Sequence, residues 1–333
     1  MRIVMDAMGG DHAPAVAVEG GVWAAQEFDV EVVMVGQQEQ LEAELAKHET
    51  SGLNLPIIHA SQVIEMEDEP ASAAKSKKDS SMVVGMDLVK KGEAEAFFSA
   101  GNSGGVMAVA LFRLGRIPGI RRPALSTVYP TMKGSCLVLD IGANTDCKPE
   151  WLLQFGIMGS VYAEKVLGMK RPRVGIVSNG EEEGKGSILV KEAYKLLKAS
   201  HLNFIGNVEG TDIPPGLADV VVTDGLTGNV IIKLSEGLSK FLTSIIEKEI
   251  RSSPLTTLGG LLARPAFRRV RKILDDSAIG GAPLLGVNGV VIVGHGHSNA
   301  KAIKNGMGVA KRAVEGQMLQ AISEGLSQTG LCD

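Results

Sequence analysis

Short runs of apolar residues, rich in β-branched side chains, recur along the chain and are separated by longer stretches of mixed polarity. We predict strands over residues 2–5, 30–36, 55–60, 96–99, 125–129, 136–142, 173–178, 219–225 and 289–296. Between most of them the apolar positions recur with the 3.6-residue period of a helix, as over 41–45 and 190–197. This alternation predicts βαβ units and hence an α/β fold, with a mostly parallel, twisted sheet and helices on both faces. The strands are almost continuously apolar, as expected when helices cover both of their sides.

The pattern runs through the chain without an internal repeat, a low-complexity tract or a Pro/Ser-rich linker. We therefore interpret residues 1–333 as a single unit. This interpretation is compatible with two intertwined lobes. A chain of 333 residues that is 44% hydrophobic and 22% charged can bury a full core and is expected to be globular.

Charge and cysteine content disfavour several classes of protein. The formal net charge is −4, whereas general nucleic-acid binders rely on a basic surface, so no nucleic-acid partner is expected. The three cysteines show no C-x-x-C spacing, which favours a reducing compartment. The N-terminus does not resemble a signal peptide, and no apolar run approaches the length of a membrane span. We expect a cytoplasmic protein that is soluble or at most peripherally bound to a membrane.

Polar, glycine-containing loops follow several of the predicted strands. They cover residues 6–12, 99–105, 140–146, 178–186 and 224–229, and each combines Gly with Asp, Asn or Ser. Helix capping and turn formation explain any one of them alone. Ligands of open α/β sheets bind at the carboxyl ends of the strands, so five such loops predict one shared crevice.

The first two loops are typical of anion sites. In MDAMGGDHAP (5–14), Gly9 and Gly10 present backbone N–H groups before a helix whose first turn accommodates Pro14. In SAGNSGG (99–105), Asn102 or Ser103 is expected to cap a helix. The N–H groups of that helix would stabilise an anion or polarise a carbonyl as an oxyanion hole does.

Other motifs are weaker than they first look. SNGEEEGKG (178–186) approaches a Walker A loop, but its glycine spacing is one residue short and Gly186 stands where Ser or Thr should bind magnesium. Lys185 is then either a cation for a small anion or a solvated lysine. No G-x-G-x-x-G follows the first strand, which lowers the expectation of a dehydrogenase, and no cofactor is predicted. His295 and His297 lack partners with ligand spacing, so we expect backbone-bonded histidines and no metal site.

Cys147 lies in one of the polar loops, but no positioned histidine partner can be recognised for it. A catalytic thiol is therefore disfavoured.

The region after residue 229 predicts a long helix followed by a basic segment. Apolar residues between Val230 and Ile250 trace one helical face, which predicts one buried stripe. Segment 251–274 contains six basic residues and no acidic one. Its apolar residues alternate with Gly and Pro instead of keeping strict helical spacing, which favours contact with an anionic membrane surface over an oligomer-interface helix hairpin. The residues expected to touch the membrane are Leu255, Leu258, Leu261, Leu262 and Phe267.

Six segments together resemble, in order, the blocks of the bacterial phosphate acyltransferases of phospholipid synthesis. They are MDAMGGDHAP, SAGNSGG, LDIGAN, SNGEEEGKG, DGLTGNVIIKLSEG and GVNGVVIVGHGHSNAKAI, and the resemblance covers essentially the whole chain. It implies a fold similar to that of phosphotransacetylases and of isocitrate and isopropylmalate dehydrogenases, here without a nicotinamide site. It also implies transfer of a long-chain acyl group from acyl-carrier protein to inorganic phosphate. The acyl phosphate formed would serve glycerol-3-phosphate acylation by a membrane acyltransferase.

The same resemblance implies a homodimer associated peripherally with the membrane. Acyl-carrier protein is generally acidic, so its docking calls for a basic surface. The sequence offers two candidates, Arg113–Arg122 and the cluster at 264–272, and does not discriminate between them.

Our hypothesis for the site gives each polar residue a role. Phosphate would bind Gly9, Gly10, Ser103, Gly104, Gly105 and Lys185. Asn102 or Asn144 would polarise the thioester carbonyl, and His12 would donate a hydrogen bond or a proton. The residues expected to orient these groups are Asp6, Asp11, Asp224 and Asn229. Three alternatives stay open, namely a phosphotransacetylase that uses acyl-coenzyme A, a non-catalytic anion-binding scaffold at the membrane, and a dehydrogenase.

Overall fold

The computed structural model describes residues 1–273, 277 and 279–327, excluding the side chains of 271–273. Leu274, the last residue of the predicted basic segment, and Cys332 lie outside the described residues. The elements follow in the order β1 (Arg2–Asp6), α1 (Ala15–Phe28), β2 (Glu31–Gly36), α2 (Gln38–Leu45), β3 (Ile57–His59), α3 (Pro70–Ser76), α4 (Ser81–Lys90), β4 (Ala96–Ser99), α5 (Ser103–Arg113), β5 (Ala124–Thr131), β6 (Gly134–Leu139), α6 (Pro149–Lys165), β7 (Val174–Val177), α7 (Ile188–Ala199), β8 (Phe204–Val208), β9 (Val220–Val222), α8 (Gly225–Ile250), α9 (Pro254–Ile273), β10 (Ala282–Leu285), β11 (Val290–Val293), α10 (Ala300–Glu315) and α11 (Met318–Ser327).

The strands form one sheet in the order β3-β2-β1-β4-β11-β10-β5-β6-β9-β7-β8. Most neighbouring strands are parallel, and only the β10–β11, β10–β5 and β5–β6 pairs among those described are antiparallel. The predicted α/β fold with a mostly parallel sheet is therefore confirmed, and each predicted strand is present.

Two strands were not predicted from the sequence. β8 contains Gly206 and Asn207, both of low strand propensity, and lies at the edge of the sheet. β10 contains Pro283, which has no N–H to donate to a neighbouring strand. These residues lower the strand propensity of both segments, so neither strand can be recognised from its own sequence. Both are stabilised by pairing with the strands beside them.

Helices cover both faces of the sheet, and the alternation of side chains along the strands supplies the two cores. In β1, Ile3 and Met5 point into the core that includes residues of α1, α6 and α10. Val4, between them, points into the opposite core, with residues of α4 and α5. This double burial explains why the strand sequences are almost continuously apolar.

The parallel strands fall into two groups that run in opposite directions. β5 lies between β10 and β6 and is antiparallel to both, so the direction of the sheet reverses across this region. The carboxyl ends of β1, β2, β3, β4 and β11 consequently lie at one edge, and those of β6, β7, β8 and β9 at the other. Loops that follow strands of different groups start at opposite edges.

α8 confirms the predicted long helix, but the prediction of a buried apolar stripe is wrong for the single chain. Only Gly225 and Gly228 of this helix are buried, and residues 240–249 are exposed on every side. The first turns of α8 contact the core and the sheet through Ile231 and Ser235, whereas the stripe lies at other positions of the helix and stays exposed. Its exposed apolar residues are Val230, Leu234, Leu238, Phe241, Leu242, Ile245 and Ile246.

The basic segment is also helical over most of its length, although its apolar residues alternate with Gly and Pro. Ser253 Oγ accepts a hydrogen bond from Thr256 N (3.2 Å) and Pro254 occupies the first helical position, so a capped start precedes α9. The helix contains Pro265 in its interior. In the described part of the chain, no helix combines the length and hydrophobicity that crossing a membrane requires.

Candidate functional site

The loops that follow β1, β4 and β11 meet at one edge of the sheet. Asp11 N donates a hydrogen bond to Gly296 O (2.8 Å), which joins the first loop to the loop after β11. A Cβ atom at Gly9 would lie only 2.8 Å from Gly101 N, so the first two loops are in close contact. The loops surround a small recess, which is lined by Gly9, Gly10, His12, Ala13, Val16, Ala17, Ala100, Gly296, Ser298 and Ile303.

The recess requires glycine at two positions of the first loop. Gly10 has φ of +108°, which disfavours any residue with a side chain, and a Cβ there would meet Gly296 O at 3.2 Å. At Gly9 a Cβ would meet Asp6 Oδ2 at 2.5 Å. Backbone is therefore the surface that this loop presents, as expected for an anion site.

His12 lies at the recess and is exposed. Pro14 is the residue before α1, as its placement near the helix start predicts. Asp11 is also exposed, and its Oδ1 lies 3.1 Å from the position of a Cβ at Gly296. The structure thus brings His12 together with the glycines of the first loop and with Gly296 of the third.

Asp6 orients the backbone of the first loop. Its carboxylate accepts hydrogen bonds from Ser99 Oγ (2.7 Å) and Met8 N (3.2 Å), and it is almost completely buried. Burial raises the pKa of Asp6, and hydrogen bonds from Ser99 and from the backbone of Met8 and Gly9, together with the nearby Ser81 hydroxyl, oppose that rise. The Ser81 hydroxyl faces the carboxylate without meeting standard hydrogen-bond geometry. The Asp6 carboxylate therefore contacts the backbone of the first loop and the Ser99 hydroxyl.

Asn102 caps α5, as predicted, and this role occupies its side chain. Its Oδ1 accepts from Gly105 N (3.0 Å), and its Nδ2 faces the carbonyl oxygens of Glu65, Met66 and Asp68 at 3.1–3.2 Å. These contacts disfavour polarisation of a substrate carbonyl by Asn102 and binding of phosphate by Gly105 N.

The rest of the predicted second-loop site lies in the first turn of α5. Ser103 is exposed, whereas Gly104 packs so closely against Pro70 that a Cβ would approach its Cγ to 2.7 Å. The helix N-terminus is thus open to an anion at Ser103.

A second cluster forms at the opposite edge from loops 140–146 and 224–229. Asn144 Nδ2 donates to Pro123 O (2.7 Å) and to Asp140 Oδ2 (2.8 Å), and Asn144 O accepts from Gly225 N (2.7 Å). Asp224 caps α8 by accepting from Thr227 N (2.9 Å) and Thr227 Oγ1 (2.7 Å). Polarisation of a substrate carbonyl by Asn144 is disfavoured, because these contacts already engage its side chain. Asp224, which was expected to orient other groups, holds the start of α8.

Asp140 is the centre of this second cluster and was not singled out from the sequence. It is fully buried and accepts hydrogen bonds from the backbone N–H groups of Leu125, Gly142, Ala143 and Asn144. Burial raises its pKa, and these bonds oppose the rise. Its position at the end of an apolar run was the signal that could have identified it.

Loop 178–186 forms a third group. Asn179 Oδ1 accepts from Gly186 N (2.8 Å), and Asn207 Nδ2 donates to Glu182 O (2.7 Å). Lys185 is exposed in this loop, and Asn229 is exposed on α8. Neither Lys185 nor Asn229 belongs to the residues that line the recess.

The prediction of a single crevice is therefore wrong within one chain. α8 connects two of the three groups, because Asp224 caps its start and Glu236 Oε1 lies 3.5 Å from His295 Nε2 beside the recess. Twelve helical residues separate these contacts by about 18 Å. Reversal of the sheet direction is the physical reason why the loops after β1, β4 and β11 are separated from the loops after β6, β7 and β9.

Three further candidates have clear surroundings. Burial, and to a smaller extent the charge of Asp140, raise the pKa of the Cys147 thiol to about 12, which agrees with an inert thiol. The rings of His295 and His297 lie 4.9 Å apart, and His295 faces a carboxylate instead of the backbone alone.

One group of acidic residues in the described part of the chain has metal-ligand spacing. Oxygen atoms of Glu181, Glu209 and Asp212 lie within 4.8 Å of one another. Asp212 Oδ2 accepts a hydrogen bond from Glu209 N (2.9 Å), so this cluster also supports the turn after β8. Glu181 is distant in sequence from Glu209 and Asp212, which is why spacing did not reveal the group.

Comparison with known proteins identifies the family. The model of the fatty acid synthesis protein family matches residues 1–321. The phosphate acyltransferase of Alkaliphilus oremlandii is 52% identical over 330 residues, which cover 99% of this chain and 98% of that protein. The phosphate acyltransferase of Geobacter sulfurreducens is 51% identical over 324 residues, which cover 97% of this chain and 94% of that protein.

Solved structures confirm the fold. EutD phosphotransacetylase from Staphylococcus aureus superposes with a TM-score of 0.60 at 16% identity, covering 94% of each chain. A phosphotransacetylase from Streptococcus pyogenes gives a TM-score of 0.60 at 18% identity, covering 97% of this chain and 94% of that one. At such identities the likeness to the solved structures shows the fold alone. The two phosphate acyltransferases, about half identical over nearly their whole length, show the family. The chain belongs to the phosphate acyltransferase family of fatty acid and phospholipid synthesis, as its six ordered segments predict.

Proposed function

We propose that this protein transfers a long-chain fatty acyl group from acyl-carrier protein to inorganic phosphate, giving acyl phosphate. Family membership supports acyl transfer. The observation that carries the choice of phosphate as acceptor is the recess where three glycine-containing strand-end loops meet, lined largely by backbone and by the exposed His12.

In this proposal phosphate binds the backbone of Gly10, beside Gly9, whose own N–H is directed to the Asp6 carboxylate, with Ser103 in the first turn of α5 as a further ligand. The start of a helix stabilises an anion by about 0.3–2 kcal/mol through its dipole. Ser298 and the Gly296 backbone line the same recess and complete the groups proposed to bind phosphate. The binding surface is largely main chain, which suits a small, symmetric anion.

The reaction needs orientation more than a strong base. A phosphate oxygen attacks the thioester carbonyl carbon, the new C–O bond forms, and the C–S bond breaks with its electrons leaving on sulfur. Phosphate is already an anion near neutral pH, and a thiol with a pKa of about 8.5 leaves readily. His12 donates a hydrogen bond to phosphate or a proton to the departing thiolate. Fixing phosphate against the thioester supplies much of the rate.

The proposal is tested by incubating the protein with long-chain acyl-acyl-carrier protein and phosphate and measuring free thiol and acyl phosphate. Phosphate-dependent formation of both is expected. Parallel reactions with acyl-coenzyme A identify a phosphotransacetylase, and absence of thiol release with either donor would indicate a non-catalytic scaffold. An NAD titration tests the dehydrogenase alternative.

Single substitutions locate the reaction. His12→Ala is expected to lower turnover, and Lys185→Ala, in the separate loop 178–186, is the matched control. A large loss in Lys185→Ala with none in His12→Ala would move the site away from the recess.

The protein is proposed to be a homodimer that uses the exposed stripe of α8. This stripe continues from Val230 to Ile246, and its side chains are 42–68% exposed in the single chain. A contiguous apolar face of this extent marks an interaction surface, and a second copy covers both stripes at once.

α9 is proposed to contact an anionic membrane surface. The five leucine and phenylalanine side chains named from the sequence are 40–79% exposed, and Arg264, Arg268 and Arg269 are exposed on the same helix. Such contact places the enzyme peripherally at the membrane, where acyl phosphate passes to a membrane glycerol-3-phosphate acyltransferase. Sedimentation with anionic liposomes tests this, and unchanged binding by Leu258→Glu/Leu262→Glu would contradict it.

Acyl-carrier protein is proposed to dock on the arginines after α5. α5 starts at the recess and ends at Arg113, about 15 Å away along its axis. Arg113 pairs with Asp87 (2.9 Å), whereas Arg116 and Arg121 are exposed. Arg116→Glu/Arg121→Glu should raise KM for the carrier protein without changing KM for phosphate. The same effect from Arg268→Glu/Arg269→Glu instead would assign docking to α9.

A further inference from the structure

A buried serine hydroxyl lies between the first two loops of the recess. Ser99, the last residue of β4, is fully buried. Its Oγ donates to Asp6 Oδ2 (2.7 Å) and accepts from Gly101 N (3.0 Å). One side chain therefore joins the end of β1 to the loop after β4.

The carboxylate on the other side of this hydroxyl is bound to the first loop. Asp6 Oδ1 accepts from Met8 N (3.2 Å), so its two oxygens hold one loop each. No charged side chain pairs with Asp6 among the groups that act on its carboxyl. Its contacts are hydroxyl and backbone donors, whose directions depend on the positions of the loops themselves.

The two loops lie too close together to accommodate a side chain at Gly9. A Cβ at Gly9 would lie 2.5 Å from Asp6 Oδ2, 2.8 Å from Gly101 N and 3.0 Å from Ser99 Oγ. The two loops are thus held in backbone contact, and the chain Met8–Asp6–Ser99–Gly101 is the hydrogen-bonded route between them. Neither Ser99 nor its hydroxyl lines the recess.

We propose that Ser99 is a positioning residue of the phosphate site, whose hydroxyl holds the loop after β4 at the distance from Gly9 and Gly10 at which both loops bind one phosphate. This inference rests on the proposed function. Ser99 acts through the backbone and does not contact the reacting atoms. Its removal should therefore weaken the binding of phosphate more than the chemical step at saturating phosphate.

The test compares Ser99→Ala and Ser99→Cys with wild type in the thiol-release assay, at varied phosphate and fixed acyl-acyl-carrier protein. Loss of one hydrogen bond predicts a rise of about tenfold in KM for phosphate in Ser99→Ala, with kcat within about twofold. Ser99→Cys keeps the volume but has a weak donor and acceptor, so its KM should also rise. The control is Ser126→Ala, which removes another fully buried serine hydroxyl, one that donates to Pro283 O (3.0 Å).

The split between KM and kcat separates positioning from a structural role. A variant that only folds less well has fewer active molecules, so its apparent kcat falls while KM for phosphate stays constant. Unchanged KM in folded Ser99→Ala or Ser99→Cys, or an equal rise in Ser126→Ala, would overturn the inference. Wild type without phosphate-dependent thiol release would instead refute the proposed function, and this inference with it.

Discussion

Replacing Gly9 by alanine forces apart the two loops that are proposed to hold phosphate. The added methyl carbon would lie 2.8 Å from Gly101 N and 2.5 Å from Asp6 Oδ2. Gly101 N is main chain, and Asp6 is held by its own hydrogen bonds, so neither atom can turn away as the end of a flexible side chain does. Relief therefore requires the loops to separate.

The displacement can be estimated from the contact distances. Ordinary contact begins at 3.4 Å, so the loops must move by about 0.6 Å at Gly101. A phosphate bound between them at about 2.9 Å from each donor would then lie at about 3.5 Å from one of them, beyond a useful hydrogen bond. A lost hydrogen bond to a charged group costs about 1.5–3 kcal/mol, which is at least about tenfold in affinity. Overpacking adds about 1–3 kcal/mol of lost stability.

The assay measures KM for phosphate by thiol release and the free energy of unfolding by urea denaturation. Gly9→Ala is expected to raise KM for phosphate at least about tenfold and to unfold at lower urea concentration. The matched control is Gly184→Ala, where a Cβ has nothing within 4 Å and the backbone is not left-handed. Wild-type KM and wild-type stability in Gly9→Ala would refute the described contact between the loops.

Three further predictions concern other parts of the molecule. The hydrogen bond and ion pair with Arg173 lower the pKa of Asp219 from 3.8. The pair therefore stabilises the fold in full above that pH and loses its effect as the pH falls through the lowered pKa. In urea unfolding, the difference in stability between wild type and Asp219→Asn should shrink below about pH 4. Leu234→Glu, in the exposed stripe of α8, should give a monomer in size-exclusion chromatography with light scattering, whereas Lys240→Glu on the same helix should not. Cys147, whose pKa is raised to about 12, should resist alkylation at pH 8 in the native protein, and Cys147→Ala should keep wild-type turnover.

Periodicity predicts the secondary structure well because local burial determines it. The strand around Val4 is apolar on both faces since helices pack on both, and that signal is present in the residues themselves. The direction of the strands cannot be predicted from periodicity. It depends on the antiparallel pairings of β5, β6 and β10, which reverse the sheet and in part join residues distant in sequence. For this reason the polar loops could be found from the sequence, but their division between two edges could not.

The candidate site shows the same limit at the level of side chains. Asn102 and Asn144 have the chemistry to polarise a carbonyl, but backbone groups already engage their side chains. Gly296 and Ser298 follow an apolar strand as Gly9 and Gly10 do, and this shared pattern could have placed them in the site. The stripe of α8 shows that amphipathic spacing predicts a covered face without revealing what covers it.

The proposed phosphate site is tested most directly by a crystal structure of the protein with bound phosphate. Phosphate is expected in the recess, within hydrogen-bond distance of the backbone at Gly9–Gly10 and close to His12. Phosphate bound at Lys185 in loop 178–186, with the recess empty at saturating phosphate, would contradict it.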